Sequence, residues 1–322
     1  MRAVLVEEFG GPEVLLVRDI PKPVPGATDV IVKVAVSGVN FIDVYFRTGL
    51  YKMPPPVAIG SEAAGLVDSV GSDVTGFAPG DRVAYAMSRG SYAEYAQVPA
   101  AQLVRIPAPV SFEQAAAVML QGMTAHYLTR STYPLKAGDT CLVHAAAGGT
   151  GALVVQMAKA VGARVFGTVS TPEKAAIAKA AGVDAVIFYT EQDFAAEARR
   201  LTGGRGVDVV YDGVGKTTFE KGLDALRPRG MMVLFGAASG AVASFDPQVL
   251  NPKGSLYVTR PSLAHYLGSR EELLWRATEV LDMVAHNTLD VRIDATFPLA
   301  QAAEAHRALE GRKSTGKFLL AI

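Results

Sequence analysis

Short apolar runs alternate with segments of helical periodicity between about residues 121 and 260. Leu153, Met157 and Val161 recur at the four-residue spacing of one helix face. We predict helices at 151–161 and 171–181, and strands at 140–144, 165–169, 185–188, 207–211 and 231–235. This alternation indicates right-handed crossovers and a mostly parallel sheet. The strands are apolar on both faces, as a sheet covered by helices on each side requires.

The chain before residue 120 has a different pattern, in which turns rich in Gly and Pro separate short β-rich runs. We predict strands at 30–36, 64–70, 81–86 and 93–98, a spacing typical of a compact β-barrel or sandwich. Ser111 and Gln114 form a capping-box pattern that predicts the start of a helix. The last stretch predicts a helix at 270–286, an extended run at 291–297, a helix at 299–310 and a strand at 315–320. We expect it to return and complete the N-terminal domain.

Composition narrows the class of protein. Half of the 322 residues are apolar and 19% are charged, which excludes a largely disordered chain. Equal numbers of basic and acidic residues argue against a protein built mainly to hold nucleic acid or an anionic membrane. The single cysteine, Cys141, cannot form an intramolecular disulfide and suits a reducing compartment. The N-terminal apolar run is too short for a signal peptide and no long apolar span follows, so we expect a cytoplasmic protein.

The strongest local motif is a glycine-rich turn that follows one predicted strand and opens the next predicted helix. Small residues let the backbone approach a pyrophosphate, and a helix N-terminus offers free N–H groups and partial positive charge. The spacing departs from the strict dinucleotide fingerprint, but the strand and helix around it favour a nucleotide site. The candidate cofactor-binding residues here are Ala147, Gly148, Gly149, Thr150 and Gly151.

The residues after the next strand favour NADPH over NADH. A site for NADH usually places an acid about 20 residues beyond the glycine turn, and the run 165–171 contains none. Ser170, Lys174 and the start of the helix at 171 would welcome a 2′-phosphate, and Tyr189 and Lys317 could contribute from elsewhere in the fold. The alternative is that Lys174 is an ordinary solvated helix lysine.

At this point several motifs, spread in order along the whole chain, resemble a known family. These are 10–15 (GGPEVL), 38–43 (GVNFID), 49–51 (GLY), 60–65 (GSEAAG), 79–83 (PGDRV), 145–151 (AAAGGTG) and 254–261 (GSLYVTRP). The chain resembles the zinc-free quinone oxidoreductases, the zeta-crystallin-like branch of the medium-chain dehydrogenase/reductase superfamily.

The resemblance implies an α/β protein of two domains. One is a β-rich GroES-like catalytic domain at 1–122 completed by 266–322, and the other is a Rossmann nucleotide-binding domain with a doubly wound parallel sheet at 123–265. It also implies an active site in the cleft between them. It further implies a homodimer joined edge to edge through the nucleotide-domain sheets, near residues 254–260, and an exposed edge strand is a reasonable seam.

Departures from the zinc alcohol dehydrogenases suggest which reaction to expect. Those enzymes carry a catalytic Cys in the segment that matches 36–43, and a His where this chain has Ser61. Without zinc there is no Lewis acid to stabilise an alkoxide, so alcohol oxidation is not expected and no metal site is predicted. Reduction of a quinone or an activated alkene does not need the metal.

The resemblance also points to individual site residues. Asn40 and Tyr45 match positions near the nicotinamide, and Tyr51 matches a cleft residue. All three are candidate catalytic residues: Asn40 could hydrogen-bond an acceptor oxygen, and Tyr45 or Tyr51 could orient the substrate or donate a proton. The alternative for each tyrosine is packing, and Asp43 is equally suited to a structural network. Thr124, at an expected helix start, is a further candidate cofactor contact. The remaining cofactor candidates are Phe235, Gly236 and Ser239, which follow a strand, and Val258 and Arg260.

Other polar residues are assigned structural roles. The five histidines show no ligand spacing, and His144 is expected to pack at the end of its strand. Glu62 is expected to shape the cleft, and Cys141 to pack within a buried strand.

The expected function is NADPH-dependent, zinc-independent reduction of a quinone. The first alternative is NADPH-dependent reduction of the carbon–carbon double bond of an enone or alkenal. The second is an NADPH-regulated RNA-binding or structural protein, which the zero net charge disfavours.

Overall fold

The computed structural model describes residues 1–311 and 314–322, which form two compact units. The first unit combines Met1–Met123 with Leu267–Ile322, and the second is the continuous segment Thr124–Tyr266.

The second unit is built on a six-stranded parallel sheet flanked by helices. Its strands are β9 (Thr140–Val143), β10 (Arg164–Val169), β11 (Ala185–Phe188), β12 (Val207–Asp212), β13 (Leu226–Leu234) and β14 (Tyr257–Thr259), in the spatial order β11-β10-β9-β12-β13-β14. The crossover helices are α3 (Gly149–Ala160), α4 (Pro172–Ala181), α5 (Phe194–Leu201) and α6 (Phe219–Ala225). All five strand pairings are parallel, which confirms the sheet predicted from the alternating pattern.

The first unit is dominated by antiparallel strands. Its largest sheet has β3 (Asp29–Val39) at the centre and also holds β5 (Glu62–Val70), β6 (Arg82–Ala86), β7 (Tyr95–Pro99), β8 (Val104–Arg105), β15 (Ile293–Pro298) and β16 (Lys317–Ala321). A smaller sheet pairs β1 (Arg2–Val6) with β2 (Leu16–Asp19) and β4 (Val57–Ala58). The helices are α1 (Phe41–Arg47), most of α2 (Phe112–Tyr127), α7 (Arg270–Ala285) and α8 (Ala302–Glu310). Strand β16 pairs with β3, so the late segment does return to complete the first unit.

Most predicted elements are present with boundaries moved by one to three residues. Helix α3 begins two residues before its predicted start, because Gly148 rather than a later residue has the extended backbone of an N-cap. Ser111 and Gln114 exchange the two capping-box hydrogen bonds, from Ser111 N to Gln114 Oε1 and from Gln114 N to Ser111 Oγ. Strands β1, β2 and β14 and helix α1 were not predicted, since they are short or lack clear periodicity.

The two units have separate hydrophobic cores. Leu142, Phe166 and Val210 lie in a fully buried cluster between the parallel sheet and its helices. In the first unit, Val32, Val83 and Tyr85 pack inside the large sheet. Cys141 is completely buried in β9, and burial raises the pKa of its thiol well above the usual range. Among the described residues, no helix is both long and apolar enough to cross a lipid bilayer.

Candidate functional site: a dinucleotide cradle and a buried polar cluster

The glycine-rich turn joins β9 to α3 in a tight conformation. Ala145 has a positive φ of 52°, and the N–H of Gly148 donates to the carbonyl of Ala145 at 2.8 Å. A Cβ on Gly151 would stand 2.2 Å from that same carbonyl oxygen, so only glycine fits there. No side chain in the described part of the chain caps α3, which leaves the N–H groups of its first turn available to an anion.

Thr168 of β10 holds the turn through its hydroxyl and its backbone carbonyl. Its hydroxyl oxygen lies 3.0 Å from Nδ1 of His144 and accepts from the N–H of Ala145 at 3.3 Å, and its carbonyl accepts from Ala146. Burial lowers the pKa of His144, which keeps the ring neutral. His144 therefore packs at the end of its strand, as expected from the sequence.

The candidate residues for the 2′-phosphate meet at the carboxyl ends of β10 and β11. Val169 pairs with Phe188, so Ser170 and Tyr189 leave the sheet side by side. Thr171 is the N-cap of α4, where its Oγ1 accepts from the N–H of Lys174 at 3.3 Å. Lys174 is half-buried, and burial lowers the pKa of its ammonium group. The chain thus places a hydroxyl, an ammonium and a helix N-terminus together.

The loop after β13 is tied to the loop after β12. Phe235 and Gly236 both donate backbone N–H groups to the carbonyl of Asp212, at 2.8 and 3.3 Å. Ser239 donates its hydroxyl to the carbonyl of Val214 at 2.8 Å. A Cβ on Gly236 would lie 2.5 Å from the carbonyl oxygen of Gly213, so the close approach of the two loops requires glycine. These residues stand where open α/β sheets bind ligands.

Three further cofactor candidates lie outside the two loops just described. Val258 pairs with Met232 in the edge strand β14, and Arg260 is exposed, with Nη1 3.3 Å from the carbonyl of Pro261. Thr124 was predicted at a helix start and is instead buried in the last turn of α2, because that helix runs without a break from Phe112 to Tyr127. The helix start expected at Thr124 is therefore wrong.

In the first unit, a buried polar cluster joins Asn40, Glu62 and Lys317. The Lys317 ammonium donates to Glu62 Oε2 at 2.6 Å and to Asn40 Oδ1 at 2.7 Å. Asn40 Nδ2 donates to the same Glu62 oxygen at 2.9 Å, and the second Glu62 oxygen accepts from the N–H of Leu120. Lys317 and Glu62 are 1% and 0% exposed. A Cβ on Gly38 would stand 2.3 Å from the Glu62 carboxylate, so the carboxylate fits only because that residue is glycine.

This cluster changes the roles expected for two residues. Lys317 was expected to help at a 2′-phosphate, but its ammonium is enclosed in the first unit by a carboxylate and an amide. Asn40 was expected to hydrogen-bond an acceptor oxygen. Its amide donates to Gly38 and Glu62 while its oxygen accepts from Lys317, so in this conformation the side chain faces inward.

The two candidate tyrosines belong to a small aromatic cluster. Tyr45 on α1 lies edge to face with Tyr51, with ring centroids 5.3 Å apart, and Tyr51 also contacts Phe46 at 5.7 Å. The N–H of Tyr51 donates to the carbonyl of Tyr45 at 3.1 Å. Tyr51 is 40% exposed, so part of this aromatic cluster is accessible from solvent.

The residues present do not fit a catalytic zinc. Zinc in proteins takes thiolate, imidazole or carboxylate ligands. Where a thiolate would be needed the chain has Asn40, and beside Glu62 it has Ser61, whose hydroxyl donates to Asp43 at 2.7 Å. The ammonium of Lys317 lies against the Glu62 carboxylate. Within residues 1–311 and 314–322, no group of three or more His, Cys, Asp or Glu side chains is arranged to hold a metal ion.

Two family models match parts of this chain. Residues 26–108 match the family model described as the alcohol dehydrogenase GroES-like domain, and residues 149–288 match the one described as a zinc-binding dehydrogenase. A quinone oxidoreductase of Pseudomonas aeruginosa is 47% identical over 314 residues, covering 97% of both chains. A 2-haloacrylate reductase of a Burkholderia species is 41% identical over 329 residues, covering 99% of this chain and 98% of its own. The structure of Escherichia coli quinone oxidoreductase complexed with NADPH is 44% identical over all of both chains, with a TM-score of 0.98.

Fold and site together define a member of the medium-chain dehydrogenase/reductase superfamily, with a GroES-like domain and a Rossmann-type nucleotide domain. Within that class the chain belongs to the quinone oxidoreductase family.

Sequence reasoning missed the partners of Glu62 and the role of one histidine. His306 was predicted to be uninvolved, like the other histidines. It is completely buried and hydrogen-bonded to both Tyr92 and Arg47. No local signal could reveal these pairs, because Lys317 is 255 residues from Glu62 and His306 is 259 residues from Arg47.

Proposed function

We propose that this protein is an NADPH-dependent quinone reductase that works without a metal. The observation that carries the proposal is its similarity, over nearly the whole chain, to quinone oxidoreductases that include one solved with NADPH. The residues agree with it in two ways. The second unit has an uncapped helix N-terminus behind a tight glycine turn, and the first unit has a lysine–carboxylate pair where zinc ligands would be needed.

The second unit supplies the groups that would hold NADPH. The first-turn N–H groups of α3 would bind the pyrophosphate, and Gly151 allows the backbone to approach it. Ser170 and Lys174 would bind the 2′-phosphate, with Tyr189 beside them at the sheet edge. The loop at 235–239 and residues Thr124, Val258 and Arg260 remain candidates for the nicotinamide half. NADPH, when bound, supplies the hydride.

The first unit supplies the groups on the acceptor side. Tyr45 and Tyr51 present ring surface to a planar acceptor, and their hydroxyls can donate to a developing oxyanion. Asn40 contributes by position, because its inward hydrogen bonds fix the start of α1, which carries Tyr45. A dedicated acid is not essential here, since water can reprotonate a hydroquinone anion.

The test is cofactor oxidation by the pure protein after treatment with a chelator. NADPH and NADH are each offered with a benzoquinone, an ortho-quinone, an enone and an aldehyde, and nicotinamide absorbance is followed. The proposal expects rapid NADPH loss with a quinone, undiminished by the chelator and slower with NADH. Absence of turnover with every quinone, or loss of turnover on chelation, would overturn it.

A second candidate function is reduction of an activated carbon–carbon double bond. It is favoured by the 41% identity to a 2-haloacrylate reductase. Alkene reduction needs a proton delivered to carbon, so Tyr45→Phe and Tyr51→Phe should matter more for an enone than for a quinone. A loss of more than about tenfold with the enone and less than about twofold with the quinone assigns the tyrosine hydroxyls to the alkene reaction. Equal losses with both acceptors contradict that division.

We also propose that the protein is a cytoplasmic homodimer joined through β14. This strand is an edge of the parallel sheet and exposes Tyr257, so it offers unpaired backbone groups to a second copy. Light scattering after gel filtration should give twice the chain mass of 33.8 kDa. Val258→Pro, which removes a donor from the edge strand, should shift the population toward the single chain, and a monomeric parent refutes the proposal.

A further inference from the structure

A chain of buried hydrogen bonds runs through the first unit and ends at Asp43. Tyr92 donates its hydroxyl to Asp43 Oδ2 at 3.2 Å, and Tyr92 Oη lies 3.2 Å from His306 Nε2. His306 Nδ1 lies 3.1 Å from Arg47 Nη1, and Arg47 forms a bidentate pair with Glu310 at 2.8 and 2.9 Å. The four residues Asp43, Tyr92, His306 and Arg47 are each at most 1% exposed.

Arg47 fixes the direction of the hydrogen bonds that link it, through His306 and Tyr92, to Asp43. A guanidinium can only donate, so His306 must accept at Nδ1. The neutral ring then carries its proton on Nε2 and donates it to Tyr92, which in turn donates to Asp43. Burial, with a smaller contribution from the charge of Arg47, lowers the pKa of His306 to about 3, which agrees with a neutral ring.

Asp43 accepts the hydrogen bond from Tyr92 and two others. Ser61 donates to Oδ1 at 2.7 Å, and the backbone N–H of Asn40 donates to Oδ2 at 2.9 Å. A proton on Oδ2 would face the Tyr92 hydroxyl. Tyr92 could accept this proton only by turning its own hydroxyl proton toward Nε2 of His306. The neutral ring would then carry its proton on Nδ1, where it would face the N–H donors of Arg47.

Asp43 also holds the part of the chain that carries the proposed acceptor contacts. It lies in the first turn of α1, which begins after Asn40 and contains Tyr45. Its hydrogen bonds connect that turn to Ser61, next to Glu62. We propose that Asp43 is a positioning residue for the reaction: as a carboxylate it fixes the start of α1, and the Arg47–His306–Tyr92 chain keeps it an acceptor. This inference rests on the proposed function only for its kinetic readout.

The charged and titratable groups around Asp43 come from several elements. Arg47 lies on α1 itself, Tyr92 precedes β7, and His306 is on α8. Lys317 of β16 attracts the carboxylate but is paired with Glu62 of β5. Burial raises the pKa of Asp43 to about 7, against the lowering effect of its donors and Lys317. Its charge is therefore decided near neutral pH.

The first measurement needs no turnover. Hydrogen–deuterium exchange of a peptide spanning residues 40–48 is followed from pH 5 to 9, after correction for intrinsic exchange rates. Because local opening returns Asp43 to water and to its ordinary pKa, protection should fall as pH rises through about 7, and should be independent of pH in Asp43→Asn. Equal protection at all pH values in the parent protein overturns the inference, even if the protein is an active quinone reductase.

The second measurement is the pH profile of kcat/KM for quinone reduction. Tyr92→Phe removes one donor from the carboxylate, so the midpoint of the acid limb should move up by about one pH unit, with activity at high pH within about twofold of the parent. The matched control is Tyr85→Phe, because Tyr85 is equally buried but its hydroxyl has no partner among the described residues. A loss in Tyr92→Phe that is the same at every pH, with no shift of the midpoint, shows a merely structural role and refutes the inference.

Discussion

The buried pair of Glu62 and Lys317 gives the most direct test of how the first unit is held together. Lys317→Met leaves a carboxylate that is 0% exposed and that keeps, among the described residues, the N–H groups of Asn40 and Leu120 as partners. Removing one partner of a buried pair costs about 3–5 kcal/mol, because the remaining charge is stranded. Glu62→Gln strands the ammonium in the same way.

The double variant separates the charge effect from loss of packing. With both charges removed nothing is stranded, so Glu62→Gln with Lys317→Met should cost much less than the two single changes added together. We expect a coupling energy of about 2–4 kcal/mol, the part of each single cost that is due to the stranded charge.

The chain offers a selective probe and a matched control for this cycle. Its one tryptophan, Trp275, lies in the first unit, so urea unfolding followed by its fluorescence reports on that unit. Lys22 and Asp68 form a comparable pair at 2.7 Å in the same unit, but their side chains are 44% and 24% exposed. Lys22→Met should therefore cost less than about 1 kcal/mol. Additive single and double variants, or single costs no larger than that of the control, would refute the reasoning.

Three further predictions concern the cofactor cradle and the buried acid. Gly151→Ala should weaken NADPH binding at least about tenfold in a fluorescence titration, because its Cβ would lie 2.2 Å from a carbonyl oxygen; unchanged affinity would show that the turn relaxes freely. Lys174→Ala should raise KM for NADPH about tenfold and leave NADH within about twofold, since only NADPH carries the 2′-phosphate; equal effects on both cofactors contradict the assignment. In the folded protein the pKa of Asp43 is raised from 3.8 to about 7, so its protonated form favours folding and that contribution is lost as pH rises through this range. Relative to the parent, Asp43→Asn should thus gain about 4 kcal/mol of unfolding free energy between pH 4 and 8 in urea titrations, and parallel pH curves would contradict the raised pKa.

The second unit was the easier half to predict from the sequence. Its strands and helices alternate along a continuous segment, and the central strands are short runs of mostly apolar residues. The glycine turn is a local feature, so its position between β9 and α3 follows from a few neighbouring residues. Ser170 and Lys174 were placed by counting from that turn, and the structure brings both beside the start of α4.

The buried polar contacts of the first unit could not be predicted from local sequence, because the partners are far apart along the chain. The sequence marks Asn40 as a candidate site residue and Glu62 as a residue that shapes the cleft, but nothing near either one points to Lys317, which meets them through the pairing of β16 with β3. The same pairing of distant segments hides the link between Arg47 and His306. The inward direction of the Asn40 amide follows from these contacts, so it too could not be predicted.

The pairing of β16 with β3 also sets an order for synthesis and folding. The second unit is a single run of chain that is complete once Tyr266 has been made. The first unit begins earlier but lacks a strand beside β3, and lacks the cation for Glu62, until residues 317–321 follow. Because domains fold as units during synthesis, the later segment is expected to fold first while the earlier one waits. Ribosome-bound chains arrested after residue 300 should therefore resist protease across residues 124–266 and be cleaved within residues 1–123.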